Sequence, residues 1–410
     1  MPDNDQTSSK AEQQSGQQVR SRLVLNFPGF EQTDSLAQIG RLHYCGDNTG
    51  KIWGFTVDGE EPVHKDVTHY TEAQFTAKGQ NWHTAMRLVQ FRWNDIVHAY
   101  ERGSFPQAFV KNFVKYMAFI GDGTVRRYRK ASWRYWGFTI YPILLAALAA
   151  IPVWLGVGYV IGALGLDETV GVALHVLLVT ALVILLCKWP GDRLYVPLTI
   201  ADWGFARDMV NRENPEIEAR FEEFGRKVAQ AIAGSSEDEI IIVGHSFGSL
   251  WAVSALALAL EAQPDLLARR KVTFLALGSS MLKIALAPRA KHIMERWRKV
   301  MAQENLFWHE VQTKDDLIAF YRCDPFEQAG IRDPRARYHI TRIRFSKGMI
   351  SKRYRAMRKS FYTTHRQYIL YYDMRVHFDY MLRLFGPFSA KSLALDEELS
   401  NRIDKKGALR

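Results

Sequence analysis

The sequence predicts an α/β fold: a mainly parallel sheet with helices on both faces, interrupted once by a helical hairpin of membrane-spanning length. Three observations predict it. Apolar segments of strand and helix character alternate along most of the chain. Two long runs without a charge, 136–166 and 169–187, stand side by side in the middle. An apolar strand pattern runs straight into Gly244-His245-Ser246-Phe247-Gly248 and then into an apolar helix pattern.

The totals permit one large domain with additions. Of 410 residues, 47% are apolar and 24% charged, which is ordinary for a globular protein. The three cysteines, Cys45, Cys187 and Cys323, form no CxxC pair. Neither a disulfide framework nor a metal site is expected, and no cofactor motif is present. A net charge of +11 suits anionic lipid or nucleic acid. No nucleic-acid-binding motif accompanies it, so nucleic acid is not an expected partner.

Residues 1–20 read as a disordered leader. The apolar run Leu23-Val24-Leu25 stops at Pro28-Gly29, as a buried strand entering a loop does. Residues 41–57 suggest a strand pair around Gly46-Asp47-Asn48-Thr49-Gly50. A strand is expected at 86–93 and a helix at 105–120. The two charge-free runs follow, of 31 and 19 residues, joined by a short acidic tip at Asp167 and Glu168. About 20 apolar residues span a bilayer as a helix. Beyond them, Ile217, Phe221, Phe224, Val228 and Ile232 mark one face of a helix over 215–233. Strand 239–245, helix 250–260 and strands 272–277, 306–312 and 338–345 complete the pattern. The resulting segments are a first globular part 21–130, a hairpin 131–189, a second globular part 190–388 and a tail 389–410.

Gly244-His245-Ser246-Phe247-Gly248 matches G-x-S-x-G. In a strand-to-helix turn the serine takes a strained backbone conformation, and flanking glycines let neighbouring backbone come close. The pentapeptide alone is weak; its place between an apolar strand and an apolar helix is the confirming context. Here the sequence resembles the α/β-hydrolase superfamily, in particular its lipase and esterase branch, over roughly 21–130 and 190–388. It is also similar to bacterial membrane-associated α/β-hydrolases of unassigned substrate that carry an HRQ segment near the C-terminus.

That resemblance implies the fold, Ser246 as nucleophile, and the chain order nucleophile, acid, histidine. It places the acid after a strand beyond the elbow, where Asp316 fits the pattern of an aspartate followed two positions later by an aliphatic residue. Asp315 and Asp324 are alternatives, and each also suits a loop cap. It places the histidine after the last strand. His365 (HRQY) and His377 (HFDY) share one spacing. If Thr363-Thr364 caps a terminal helix, His377 lies 12 residues along it from His365, about 18 Å away, and only one can reach the serine. His365 is the preferred base. The resemblance implies an oxyanion hole from the backbone N–H groups of Phe247 and Phe30. Where most relatives carry His-Gly, this chain has Phe27-Pro28-Gly29-Phe30.

The implied function is a membrane-tethered serine hydrolase that cleaves a carboxylic ester, a lipid or other apolar ester, through an acyl-enzyme. An acyltransferase or thioesterase uses the same parts, and a non-catalytic interaction module is the reading from another class. Arg126, Arg127, Arg129, Lys130 and Arg134 precede the hairpin and Lys188 and Arg193 follow it. By the positive-inside rule the globular part faces the cytoplasm, as expected at a bacterial inner membrane. Residues 332–359 carry eleven Lys or Arg against Asp333. They are expected to meet anionic head groups and to rim a mouth opening towards the bilayer, with Trp133, Trp136 and Trp189 at the interface.

Overall fold

A computed structural model describes residues 18–65, 67–193, 195–331 and 337–410. The chain is an α/β protein with a nine-stranded mixed sheet. Its strands are β1 (Ser21–Phe27), β2 (Thr56–Gly59), β3 (Val63–His64), β4 (Tyr70–Lys78), β5 (His83–Phe91), β6 (Glu239–His245), β7 (Val272–Leu277), β8 (Leu306–Thr313) and β9 (Arg337–Ile343). Across the sheet the order is β2-β4-β5-β1-β6-β7-β8-β9, with β3 on β4. From β5 to β9 every pairing is parallel. β4 runs antiparallel to β5, and β2 and β3 antiparallel to β4.

The central strands are apolar because both their faces are covered. All seven residues of β6 are buried. Alternate side chains serve opposite cores, as the strand period of two requires. Leu23, Leu25, Phe27, Ile240, Ile242 and Phe274 enter one core, and Val24, Ile241, Val243, Leu275 and Leu277 enter the other. At the amino ends of β1 and β6 the buried Arg22 and Glu239 pair at 3.2 Å. Arg22 also donates to the carbonyls of Leu384, Gly386 and Phe388, and Glu239 accepts from Ala390 N. Those bonds fasten the stretch 389–410 to the sheet, where Leu393, Leu399 and Ile403 are buried. Of the expected leader, residues 1–17 lie outside the described residues, and Val19 is buried with its N–H on Pro387 O.

The expected strands 86–93, 239–245, 272–277, 306–312 and 338–345 and the helices 105–120, 215–233 and 250–260 are present with small shifts of boundary. The strand pair expected at 41–57 is not. Its place is taken by the helix Ser35–Trp53, N-capped by the Asp34 side chain and closed by Gly54 at φ 82°. Gly46 and Gly50 serve packing there. A Cβ on Gly46 would fall 2.7 Å from the Phe385 ring, and one on Gly50 2.3 Å from Phe55 O. The antiparallel edge β2–β4 was not anticipated.

The hairpin consists of helices Trp133–Ala163 and Glu168–Arg193. Both are long and apolar enough to cross a membrane, and their most apolar windows are 0% and 17% buried. They are therefore not core helices of this chain. Among the described residues the hairpin joins the protein interior at its root, through Tyr135, Phe138 and Cys187, with residues as far as Ala146 and Val183 packed against that core. Trp133 is exposed and Trp136 half-buried, while the side chain of Trp189 lies outside the described residues.

Within β8, burial pushes the Glu310 carboxyl up to about 8 from its ordinary 4.5, against the opposing effect of the Trp308 indole N–H that it accepts at 3.0 Å. The stability tied to its neutral form is complete below 4.5 and is lost as pH rises through about 8. Glu310→Gln keeps the acceptor and removes the titration. It is expected to raise the melting temperature relative to the native chain by much more at about pH 9 than at about pH 5. An equal offset at both pH values would show that Glu310 does not titrate in this range.

Candidate active site

Strand β6 ends at His245, and Ser246 follows with φ 56°, in the left-handed region. Such a conformation in a non-glycine residue costs on the order of 1–3 kcal/mol and persists only where its surroundings impose it. Here three bonds do so. Ser246 N–H donates to Leu277 O at 3.0 Å, and Ser246 O accepts from Ser249 N and Ser280 N at 3.2 Å each. The glycines are required by space. A Cβ on Gly248 would lie 1.9 Å from Phe27 O, and one on Gly244 2.4 Å from Ser249 Cα. Gly29 lets the loop after β1 press on the turn, since its Cβ would sit 3.1 Å from Ser246 Cβ.

The segment after β8 carries Asp316, which is fully buried. Its Oδ1 accepts Ile318 N at 2.8 Å, a local turn that fixes the carboxylate. Its Oδ2 lies 2.7 Å from His365 Nδ1. His365 sits in the short helix Phe361–Arg366, capped by Ser360 rather than by Thr363 or Thr364. Its Nε2 is buried and has no hydrogen-bond partner among the described residues. His365 and Ser246 line one small cavity of about 40 Å³ with Gly29, Phe30, Phe247 and Ser280. The Ser246 hydroxyl is engaged with Ser280 Oγ at 3.2 Å, not with the histidine. The Phe30 and Phe247 backbone N–H groups donate to no acceptor among the described residues.

The alternatives lie elsewhere. His377 belongs to no helix; exposed, its Nδ1 donates to Glu397 O at 3.0 Å, away from the serine. The terminal helix expected to run from His365 past His377 stops at Arg366. Asp324 caps the helix Pro325–Gln328 and accepts from Tyr338. Asp315 accepts from Phe345 N and the Tyr354 hydroxyl.

Sequence reasoning missed four residues. His245 donates from Nε2 to His365 O at 3.0 Å, with the two rings 4.8 Å apart. Burial, helped by the neighbouring His365, holds His245 far below the ordinary imidazole value, so it stays neutral. Ser280 holds the serine hydroxyl. Asp202 and Lys283, both buried, pair at 2.6 Å in the wall of the same cavity. Burial pushes Asp202 up and Lys283 down. Lys283 Nζ also lies 3.9 Å from the Trp203 ring centre and 4.9 Å from that of Phe247. The available signal was a single acid in TIADWGF and a single base in MLKIA, opposite charges each alone in an apolar run.

The hairpin root packs against the segments of both Asp316 and His365. Tyr135 stacks on Phe320, four residues past Asp316, with centroids 3.9 Å apart. The Arg134 guanidinium donates to Lys314 O, two residues before it. Phe138 and Tyr141 both meet Phe361, four residues before His365, at 5.6 Å. Asp202 lies on the helix Val196–Asn211 that follows the hairpin.

Among the described residues no group of three His, Cys, Asp or Glu side chains is placed to hold a metal ion. The arrangement supplies a hydroxyl in a strained turn, an imidazole oriented by a buried carboxylate, and two open backbone donors. Those are the parts of acyl transfer through a serine. No protein-family model, curated protein or solved structure matches this chain.

Removing one member of a buried ion pair costs about 3–5 kcal/mol, whereas replacing both by apolar groups is often neutral. Lys283→Met is therefore expected to lower the melting temperature markedly, and Asp202→Leu combined with Lys283→Met to restore most of the loss. If the double variant melts at or below the single one, the two charges do not act as a pair.

Proposed function

We propose that this protein is a membrane-anchored serine hydrolase of the α/β-hydrolase fold that cleaves a carboxylic ester. One observation carries the reading: Ser246 in its left-handed turn shares a buried cavity with His365, whose far nitrogen is fixed by Asp316. In the reaction the Ser246 hydroxyl leaves Ser280 for His365 Nε2, which takes its proton as Oγ attacks the acyl carbon. The Phe30 and Phe247 N–H groups hold the oxyanion. His365 returns the proton to the leaving alcohol, then activates water against the acyl-enzyme. Asp316 keeps Nδ1–H in place and stabilises the imidazolium.

The hairpin supports the anchor and the lipid reading. Its two helices expose leucines, valines and isoleucines that water does not favour, and a bilayer covers such a surface. Positive charge at the root and acid at the tip favour a cytoplasmic globular part at a bacterial inner membrane. Because the root carries the acid and base segments, an apolar ester drawn from the bilayer is the favoured substrate.

A fluorophosphonate probe is expected to label the native chain. Ser246→Ala should abolish labelling, and His365→Ala should slow it by about 100-fold or more. A native chain that takes no label would leave a non-catalytic interaction module, and labelling that survives Ser246→Ala would overturn the nucleophile.

The protein is also expected to stay in the membrane pellet after alkaline carbonate. Recovery in the carbonate supernatant would remove the anchor from the reading.

A further inference from the structure

The basic segment was expected to rim the mouth of the site, but none of its described part, 337–359, lines the cavity of Ser246. On the sheet side that packs against Trp53, Tyr372 and Phe378, it borders a cleft of about 660 Å³. The hairpin root packs into the other core. That volume falls within the range of sites for small organic ligands, about 300–1,000 Å³.

The cleft is cationic. Arg342, Arg344 and Lys347 stand exposed on its rim, and none makes an ion pair among the described residues. Arg375 and Arg383 lie deeper. Arg375 spends its donors on the carbonyls of Ile52, Ile403 and Asp404. Arg383, 1% exposed, uses its two terminal nitrogens on the carbonyls of His377, Asp379 and Leu393, and its Nε has no acceptor. The buried Tyr372 hydroxyl has no partner either. Both guanidinium groups rest on aromatic rings, Arg375 on Trp53 at 4.6 Å and Arg383 on Phe378 at 4.4 Å. Carbonyls and rings thus take the direct contacts of both groups, while Asp379 faces Arg383 and Asp404 faces Arg375 by charge alone. Glu397 is the one acid lining the cleft. Burial lowers the Arg383 guanidinium even with Asp379 nearby, and an anion in the cleft would add to the charge that offsets this cost.

We propose that this cleft is a second binding site, separate from Ser246, for a phosphate-bearing anion. The phosphate belongs either to a soluble phosphorylated compound or to a lipid head group, and both present the same oxygens to Arg342, Arg344 and Lys347. The inference stands whether or not Ser246 is a nucleophile.

The test uses the full chain in phosphatidylcholine nanodiscs, titrated calorimetrically with inorganic pyrophosphate. The rim variant is Arg342→Ala/Arg344→Ala/Lys347→Ala, whose exposed positions leave the fold intact. The control, Arg269→Ala/Arg298→Ala, removes exposed charge elsewhere. Saturable binding is expected in the native chain and the control, weakened by about tenfold or more in the rim variant. A second arm measures capture of phosphatidylcholine vesicles containing phosphatidylinositol phosphate. If pyrophosphate fails to bind but these vesicles are captured with the same dependence on the rim, the ligand is a head group. No saturable binding in either arm, or rim and control variants that behave alike, overturns the site.

Discussion

The left-handed backbone at Ser246 is the constraint on which the site is built. A chain leaving the end of a central parallel strand must turn sharply to start a helix over the same sheet. Here the turn is made in one residue. That brings Gly248 against Phe27 O and Gly244 against Ser249, so neither position has room for a side chain. It also brings the loop after β1 onto the serine through Gly29. β1 lies between β5 and β6, so the connections after β1 and β6 leave to opposite sides of the sheet. A crevice opens at such a point, at the carboxyl ends of the strands. The strain at Ser246 is held by Leu277 and Ser280 from the neighbouring strand and the turn that follows it. The geometry of the turn thus depends on β7 as much as on β6.

Asp316 and His365 reach this turn from distant parts of the chain, yet the bonds among them leave little freedom. Asp316 spends one oxygen on its own backbone and the other on His365. His365 gives its carbonyl to His245, the residue before the serine, so the base helix is bonded directly to the elbow. One imidazole nitrogen is left open, and it faces a cavity whose other polar groups include two free backbone donors. The buried Asp202–Lys283 pair puts a charged couple in that wall at no cost in net charge.

Much of this was legible because it is local. The elbow, the five later parallel-sheet signals and the two long apolar helices are written in consecutive residues. What was misread depends on contacts between distant segments. Gly46 and Gly50 with Asp47 and Asn48 have the composition of a turn, but the glycines answer to Phe385 and Phe55, which no local pattern reveals. β4, YTEAQFTAK, hides its inward Thr71, Ala73, Phe75 and Ala77 among residues too small or polar to signal a strand. His365 and His377 have the same spacing to a tyrosine, and the sequence-level reason for preferring one assumed a long terminal helix that does not exist. The preference leaned on the resemblance for its chain order, and the geometry beside Asp316 rests instead on the short helix capped by Ser360. Asp202 and Lys283 are 81 residues apart, and only the fold joins them.

The hairpin is part of the site's architecture rather than a detachable tether. A single residue, Ser132, separates its first helix from the basic helix Thr124–Ala131, and Ser132 is also the cap of the first helix. On the far side the helix Val196–Asn211 begins three residues beyond Arg193. The joint at Ser132 is a single residue that also caps the helix it starts. The contacts agree with the joints. Tyr135 grips the acid segment through Phe320, and Phe138 and Tyr141 grip the base helix through Phe361. The first turns of the hairpin thus touch the segments of both Asp316 and His365, while Ser246 is held by β6 and β7. Ser246 and His365 come from differently supported segments, one held by β6 and β7, the other packed through Phe361 on the hairpin root. One helix thus exposes an apolar surface along its length and, through the aromatic residues of its first turns, packs on the segments that carry Asp316 and His365.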